Sequence, residues 1–286
     1  MTAFTTLDTN HNVTAKLAAL KAMGIDTVIR YIMPNTANEK VVKPAEARAF
    51  AAAGMKLAIV YEINGTPSGA NQGGADGEFA FSYMPTIGAP DGAIIWYAVD
   101  YDPSPAQMQG VIAAFTAFKA TLGGRYAVGC YGSGYCCDTL FGAGLITGRW
   151  ITCSMGFRGS RESIAAGRCE LIQKLPQTIA GLDTDPDVVS ANGAAGGFIP
   201  SLAPPGPPDT AWPPTDPAAV EWVQAALNAQ GTTPPLGVDG GYGPLTRAAV
   251  IDFQTAHDLT ADGKAGPATV GALKGVSAPT NPAIVA

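Results

Sequence analysis

Acidic residues recur in this 286-residue chain directly after short apolar or β-branched runs. They are Asp8 in LDTN, Glu62 in VYEIN, Asp100 and Asp102 in YAVDYDPS, and Asp183 and Asp185 in GLDTDPD. Carboxylates gathered at one cleft suit the cleavage of glycosidic bonds. One is held protonated as general acid, while another stays ionised as base, nucleophile or electrostatic partner. Glu62 is the foremost single candidate, because it follows the apolar run Leu57–Tyr61 and precedes no helix-cap signal. Local roles compete for the others: Asp102 before Pro103-Ser104 can cap the next helix, and Asp8 can stabilise its own turn. Arg30 sits inside an apolar run, where a charge needs a partner, and a site carboxylate is the expected one. Tyr31, Tyr61, Tyr101, Tyr131 and Trp150 stand at the same run ends, placed either to stack on sugar faces or to pack the core.

Other chemistries have little to work with. Two histidines, His11 and His257, lie at opposite ends of the chain, which falls short of a zinc site and places neither beside a nucleophile motif. Five cysteines form no CxxC pair. Glycine is abundant, yet no phosphate-cradling motif opens a helix after a strand. No metal and no cofactor are therefore expected. A net charge of −6 argues against nucleic acid as a partner, and no apolar run approaches the ~20 residues of a membrane span. Met1–Asn12 lacks a basic and then apolar leader, so no secretory signal is expected. The thiols are then expected to be reduced and structural.

These carboxylates need a frame that brings run ends together. Strand-like runs at Thr5–Asp8, Thr27–Ile32, Lys56–Ile63 and Ile94–Asp102 alternate with helical stretches such as Thr14–Met23, Pro44–Ala53 and Pro105–Leu122. Weaker strands follow at Tyr126–Tyr131, Trp150–Met155, Glu170–Gln173 and Ile179–Asp183. Strand then helix, repeated up to eight times, predicts an α/β fold, a (β/α)8-type barrel made irregular by its short later helices. A parallel barrel gathers all strand C-termini on one face, and strand period two sends Asp100 and Asp102 the same way.

The chain divides after about residue 190. Residues 191–215 read as a linker: Ala191–Gly197 is rich in glycine and alanine, and Pro200–Pro217 holds eight prolines in 18 residues, which favours an extended spacer. Residues 216–286 form the second domain, a small three-helix unit. Asp216-Pro217 caps its first helix, which carries Val220, Val223 and Leu227. The string Asp239-Gly240-Gly241-Tyr242-Gly243-Pro244-Leu245-Thr246 returns 23 residues later as Asp262-Gly263-Lys264-Ala265-Gly266-Pro267-Ala268-Thr269. Each copy is a turn leading into a helix with proline on its first turn. The helices bury Ala249, Val250 and Phe253, then Val270 and Leu273.

These repeats, with Val223–Asn228, Thr246–Val250, Phe253-Gln254 and Leu259, resemble the peptidoglycan-binding type 1 domain. The resemblance implies peptidoglycan as partner, with contacts near the repeat turns at Tyr242, Thr246 and Arg247. In the first domain, Leu7-Asp8, Arg30-Tyr31, Tyr61-Glu62, Ala98–Asp102 and Leu182-Asp183 resemble the glycoside-hydrolase-like barrel of the DUF1906 type, related to the lysozymes of glycoside hydrolase family 25. Family 25 carries D-x-E on its fourth strand, where this chain reads D-x-D. Together the two resemblances imply a modular phage endolysin. It would hydrolyse β-1,4 bonds of peptidoglycan as an N-acetylmuramidase, with Glu62 as proton donor and Asp100 or Asp102 as base or stabiliser. Asp8 and Asp183 would then position substrate, beside Arg30, Tyr31, Tyr61, Tyr131 and Trp150. The expected setting is a monomer held in the host cytoplasm and then released to the wall. An amidase or endopeptidase, a lytic transglycosylase and a non-catalytic wall-binding protein stay open as alternatives.

Neither part is cationic: residues 1–200 carry 14 basic against 16 acidic side chains, and residues 216–286 carry 3 against 6. Simple electrostatic attraction to an anionic wall is not expected.

Overall fold

The structure is a computed structural model that describes residues 4–190, 193–201 and 217–275. The chain forms two units, Met1–Leu202 and Ala203–Ala286.

The first unit is an eight-stranded closed barrel wrapped in helices. Strands β1 (Thr6–Asp8), β2 (Thr27–Ile32), β3 (Lys56–Tyr61), β4 (Ile94–Ala98), β5 (Ala127–Gly132), β6 (Gly148–Ile151) and β7 (Leu171–Gln173) run parallel in sequence order. Helices α1 (Leu17–Ala22), α2 (Pro44–Ala53), α3 (Ala70–Tyr83), α4 (Met108–Leu122), α5 (Gly134–Gly142) and α6 (Ser160–Ala165) fill the crossovers. After β7 no crossover helix follows. A hairpin of β8 (Gln177–Ile179) and β9 (Leu182–Val189) turns instead on Ala180 and Gly181, both at positive φ, as a tight two-residue connection requires. A hairpin returns the chain antiparallel, so β9 closes the barrel against both β7 and β1 in reverse. The expected parallel eighth strand is thereby corrected, and it is the start of β9 that reaches the mouth.

Period two splits each strand between two cores. Ile29, Ala58, Val60, Trp96, Trp150 and Leu171 fill the lumen, while Leu7, Val28, Ile59, Tyr61, Tyr97 and Cys130 face the helices. Trp96 crosses the lumen because Gly129 and Gly148 leave room; a Cβ at either would sit within 2.7 Å of its ring. Outside the sheet, Gly73 of α3 rests directly on the Ala114 backbone of α4. That approach carries Asp76 to the Tyr61 and Tyr97 hydroxyls.

Residues 193–201 belong to the barrel, not to the linker expected from 191. The Phe198 and Leu57 backbones exchange hydrogen bonds of 2.8 and 2.9 Å, and Trp96 Nε1 donates to the Ala195 carbonyl at 2.9 Å. Small residues permit it, since Gly196 and Gly197 press on the strand starts at Ile94 and Thr27. The rest of the linker and the Asp216 cap lie outside the described residues.

The second unit packs α7 (Pro217–Ala229), α8 (Pro244–Ala256) and α9 (Pro267–Gly275) around Val223, Leu227, Val250, Phe253 and Leu273. Its two turns are matched in detail. Gln224 Nε2 donates to Asp239, to the Gly241 carbonyl and to Thr246 at 2.7, 3.0 and 3.1 Å. Gln254 does the same to Asp262, Lys264 and Thr269 at 3.0, 2.9 and 2.9 Å. Both glutamines are buried, so the sequence repeat is a repeated polar anchor as well as a repeated turn.

Candidate active site

At the mouth, the lumen-facing parity of each strand runs on for one or two residues past its end. Val60 is followed by Glu62, Ala98 by Asp100 and Trp150 by Thr152. Two adjoining clefts result, of about 270 and 180 Å³, which share Tyr31, Lys40 and Asp185. Glu62, Asp100, Tyr131 and Trp150 line the larger, with Asp8 and Asp183 on the smaller.

Asp8, at the end of β1, is buried. Its Oδ1 accepts from the Tyr31 hydroxyl at 3.2 Å and its Oδ2 from Gln173 Nε2 at 3.0 Å. Burial pushes its carboxyl up to about 7, with the Asp185 charge adding to the rise, so at neutral pH it is poised to keep or give a proton. Asp185 stands opposite Asp8 in the β1–β9 register and accepts from the same Gln173 nitrogen at 3.2 Å. Burial raises Asp185 as well. Deeper in the lumen, Asp187 is fully buried and accepts from the Trp150 indole at 2.7 Å.

Glu62 is held differently. Lys40, from the loop between β2 and α2, places its ammonium 3.2 Å from Glu62 Oε2 and 4.1 Å over the Tyr31 ring. The pair sets an acid and a cation together at the rim of the larger cleft. Asp100 is exposed, and its backbone N–H donates to the Gly65 carbonyl at 2.7 Å. Tyr131 donates to Gln173 Oε1 at 2.8 Å, which fixes the amide that holds Asp8.

Five expected barrel residues stand elsewhere or in another role. Arg30 points away from the lumen and pairs with Glu46 of α2 at 3.0 Å, both side chains fully buried. A helix carboxylate, not a site carboxylate, answers its charge. Tyr61 shares that outward parity, and its hydroxyl donates to Asp76 at 2.8 Å. Asp102 does not follow Asp100 into the cleft, because β4 ends at Ala98 and period two lapses; it accepts from the Arg158 backbone N–H at 3.1 Å. Trp150 lies in the cleft base at 1% exposure, which makes it a floor and not a stacking face. Tyr101 packs against the helix-side core. Asp183 is exposed on the smaller cleft, where its carbonyl accepts from Thr9 at 2.8 Å.

Sequence reasoning gave Lys40, Gln173 and Asp187 no part, and named Asp185 without a role. The alternation Asp183, Asp185, Asp187 was the available signal for one shared face. Lys40 and Gln173 carried none. His11 is exposed and lines neither cleft, and His257 stacks on Phe253 at 4.0 Å. The five cysteines are unpaired thiols, of which Cys153 lines the larger cleft.

In the helical unit, Thr246 is buried beneath Gln224 and so cannot meet a wall polymer. Tyr242 is half-buried and donates to the Gly263 carbonyl at 3.2 Å. Arg247 is exposed, its stem lying over Gly263. A separate hollow of about 300 Å³, lined by Leu227, Thr232, Asp252, Phe253 and His257, opens between the end of α7 and α8.

Comparison with known proteins follows this division. Residues 18–185 match the Rv2525c-like, glycoside hydrolase-like domain, and residues 216–273 the putative peptidoglycan binding domain. The barrel superposes on crystal structures of the Mycobacterium tuberculosis Tat-secreted protein Rv2525c. The complex with HEPES gives a TM-score of 0.56 at 21% identity, covering 65% of this chain and 95% of that one. The complex with L-tartrate gives 0.57 at 20%, covering 66% and 96%. The likeness supports the fold. A zinc D-Ala-D-Ala carboxypeptidase of Streptomyces albus G is 59% identical over 39 residues, 14% of this chain and 15% of that protein.

Proposed function

The chain belongs to the Rv2525c-like, glycoside hydrolase-like domain family, and from that premise we propose that its barrel hydrolyses the β-1,4 bonds of peptidoglycan glycan strands as a muramidase. A peptidoglycan-binding domain on the same chain makes the protein modular and cell-wall-related. The observation that carries the reading is the contrast between two carboxyls at one mouth. Asp8 is buried and raised to about 7, while Glu62 is engaged by Lys40.

In this reading Asp8 gives its proton to the glycosidic oxygen as the bond to the anomeric carbon breaks. Glu62 and Asp100 stabilise the oxocarbenium-like centre or take the proton of the attacking water. The proton-donor role first expected for Glu62 passes to Asp8, first expected to position substrate, and Glu62 joins Asp100 as base or stabiliser. Tyr31 and Tyr131 orient the sugar from the cleft walls. The binding module raises the local concentration of the barrel on an insoluble polymer through the tether. The same reading takes the chain as a lysin of bacteriophage type, made in the host cytoplasm and acting on the wall.

Mass spectrometry of digested peptidoglycan tests it. New reducing sugar ends support hydrolysis, whereas new amino termini would identify an amidase or endopeptidase, and anhydromuramic ends a transglycosylase. A second reading, a barrel that only binds the wall, is favoured by one observation: the second acid of the D-x-D is tied to the Arg158 backbone. Asp8→Asn and Glu62→Gln variants that match the parent in every digest would establish that reading.

A further inference from the structure

Asp187, behind Asp8, is a second buried acid with no task assigned so far. The β1–β9 register sets Asp185 opposite Asp8 and Asp187 opposite Thr6, so period two turns all three acids into the lumen along one seam. Oδ1 of Asp187 accepts from Trp150 Nε1 at 2.7 Å. Its Oδ2 is buried and has no donor. The one amide within the cluster is already committed, since Gln173 Nε2 serves Asp8 and Asp185. Its Oε1 accepts from Tyr131, which fixes that orientation. Cations are equally committed elsewhere: Arg30 lies outside the sheet with Glu46, and Lys40 lies at the rim with Glu62.

Two groups on the seam can answer that oxygen: the Thr6 hydroxyl, directly opposite and itself buried without a partner, and the carboxyl of Asp8, one place along. Two buried carboxylates repel when both are ionised and bond when a proton lies between them. We propose that Asp8 and Asp187 hold one proton in common, with Asp187 as a positioning residue that keeps this proton on the pair at neutral pH. The Trp150 indole pins Oδ1 of Asp187 and leaves Oδ2 to the seam it shares with Asp8.

The surroundings favour retention of that proton. The titratable groups facing the pair are Tyr31 from β2, Glu62 and Asp100 beyond β3 and β4, Tyr131 from β5 and Asp185 on β9. Cys153 and Lys40 complete the rim, and Lys40 alone is cationic. Burial, with the charge of Asp8, holds Asp187 well above the usual carboxylate range. The inference is independent of the proposed hydrolysis, since the proton is shared whether the barrel cleaves or only binds.

The test is a carboxyl-carbon NMR titration of the full chain labelled in aspartate, with Asp8 and Asp187 assigned from Asp8→Asn and Asp187→Asn. The parent pair should titrate in two steps separated by more than about two pH units. In Asp187→Asn the side-chain amide offers an N–H to Asp8, and the Asp8 midpoint should fall by about one pH unit or more. An Asp8 midpoint that stays in place overturns the proposal. If Asp187→Asn does not fold, Trp150→Phe removes the donor from Oδ1 of Asp187 and should raise the upper midpoint; a fall or no change overturns it. Where digestion activity is present, the basic limb of its pH profile should move with the NMR midpoint. An NMR shift without any digestion activity would support the shared proton and count against hydrolysis.

Discussion

Lys40 Nζ stands 3.2 Å from Glu62 Oε2 and 4.1 Å over the Tyr31 ring, so one loop cation joins a cleft acid to the hydroxyl-bearing ring that holds Asp8. Replacing it with methionine removes the charge and keeps most of the stem. Lys40→Met should lower the rate of wall digestion about tenfold, with Lys40→Arg retaining most of it. Turbidity clearance read against a folded control decides the point, and an undiminished Lys40→Met would remove Lys40 from the site.

Asp8→Asn and Glu62→Gln should each reduce digestion by about 10²- to 10⁴-fold, the range of a lost acid or base. Tyr61→Phe removes only the bond to Asp76 on the helix side of the sheet. It should cost about 1 kcal/mol of stability and leave the digestion rate near the parent value. Equal losses in all three would contradict the assignment of Tyr61 to the sheet–helix layer.

Stability should respond to pH through Asp8. Its folded carboxyl is raised from 3.8 to about 7, so between those values the folded state binds more protons than the unfolded state. The linkage slope is then negative, and stability falls as pH rises from about 4 to about 7. Asp185 and Asp187, also raised, act in the same direction. Asp8→Asn removes one of these contributions, so the variant's Tm should gain on the parent's across that window. Calorimetric scans at pH 4, 5.5 and 7 that run parallel would show that Asp8 titrates normally.

How far the sequence carried the site follows from where period two holds. Glu62 and Asp100 line the mouth, because each lies within two residues of its strand end. Period two failed at Asp102, where the backbone had already left the strand. Arg30 and Tyr31 are adjacent and so face opposite sides, and only the helix packed on β2 reveals that Glu46 claims Arg30. Helix α3 carries Gly73, Gly74 and Gly77, residues of poor helix propensity, and close packing on α4 requires the first of them to be small. The reversed β9 follows from a two-residue turn at Ala180-Gly181 that no hydrophobic pattern announces. The helical unit was more legible, since its repeat is written in turn residues, yet the glutamines that anchor each turn looked like ordinary helix polar positions.

Arg30 and Glu46 form a fully buried ion pair. Arg30 also donates to the Thr9 carbonyl at 2.6 Å, just beyond Asp8. Glu46→Gln strands the guanidinium and should cost about 3–5 kcal/mol. Replacing both partners, as in Arg30→Met with Glu46→Leu, should cost less than the single change. Urea unfolding of the two variants decides it, and a single variant as stable as the parent would contradict a dry pair.

In the helical unit, Thr246→Val takes away a hydroxyl that accepts from Gln224 and donates to the Gly241 carbonyl, and should cost about 1 kcal/mol, since Gln224 keeps Asp239 and Gly241 as acceptors. Arg247→Ala touches an exposed side chain. Sedimentation with purified peptidoglycan should show severalfold weaker retention for Arg247→Ala at unchanged melting. Unchanged retention would turn attention to the hollow beside Phe253 and His257.

On the proposed wall-anchored reading, the segment 193–201 is where mechanical load would enter the barrel. A chain anchored to a moving wall fragment pulls on the tether. Ser201, the last described residue of this unit, donates its N–H to the Gly88 carbonyl. Tension is therefore taken up by the Gly88–Ser201 and Leu57–Phe198 bonds at the strand starts, while Asp8, Glu62 and Asp100 hang from the strand ends. The floor works as strain relief: a tug from the wall must strip the barrel's underside before it can distort the carboxyl geometry at the mouth.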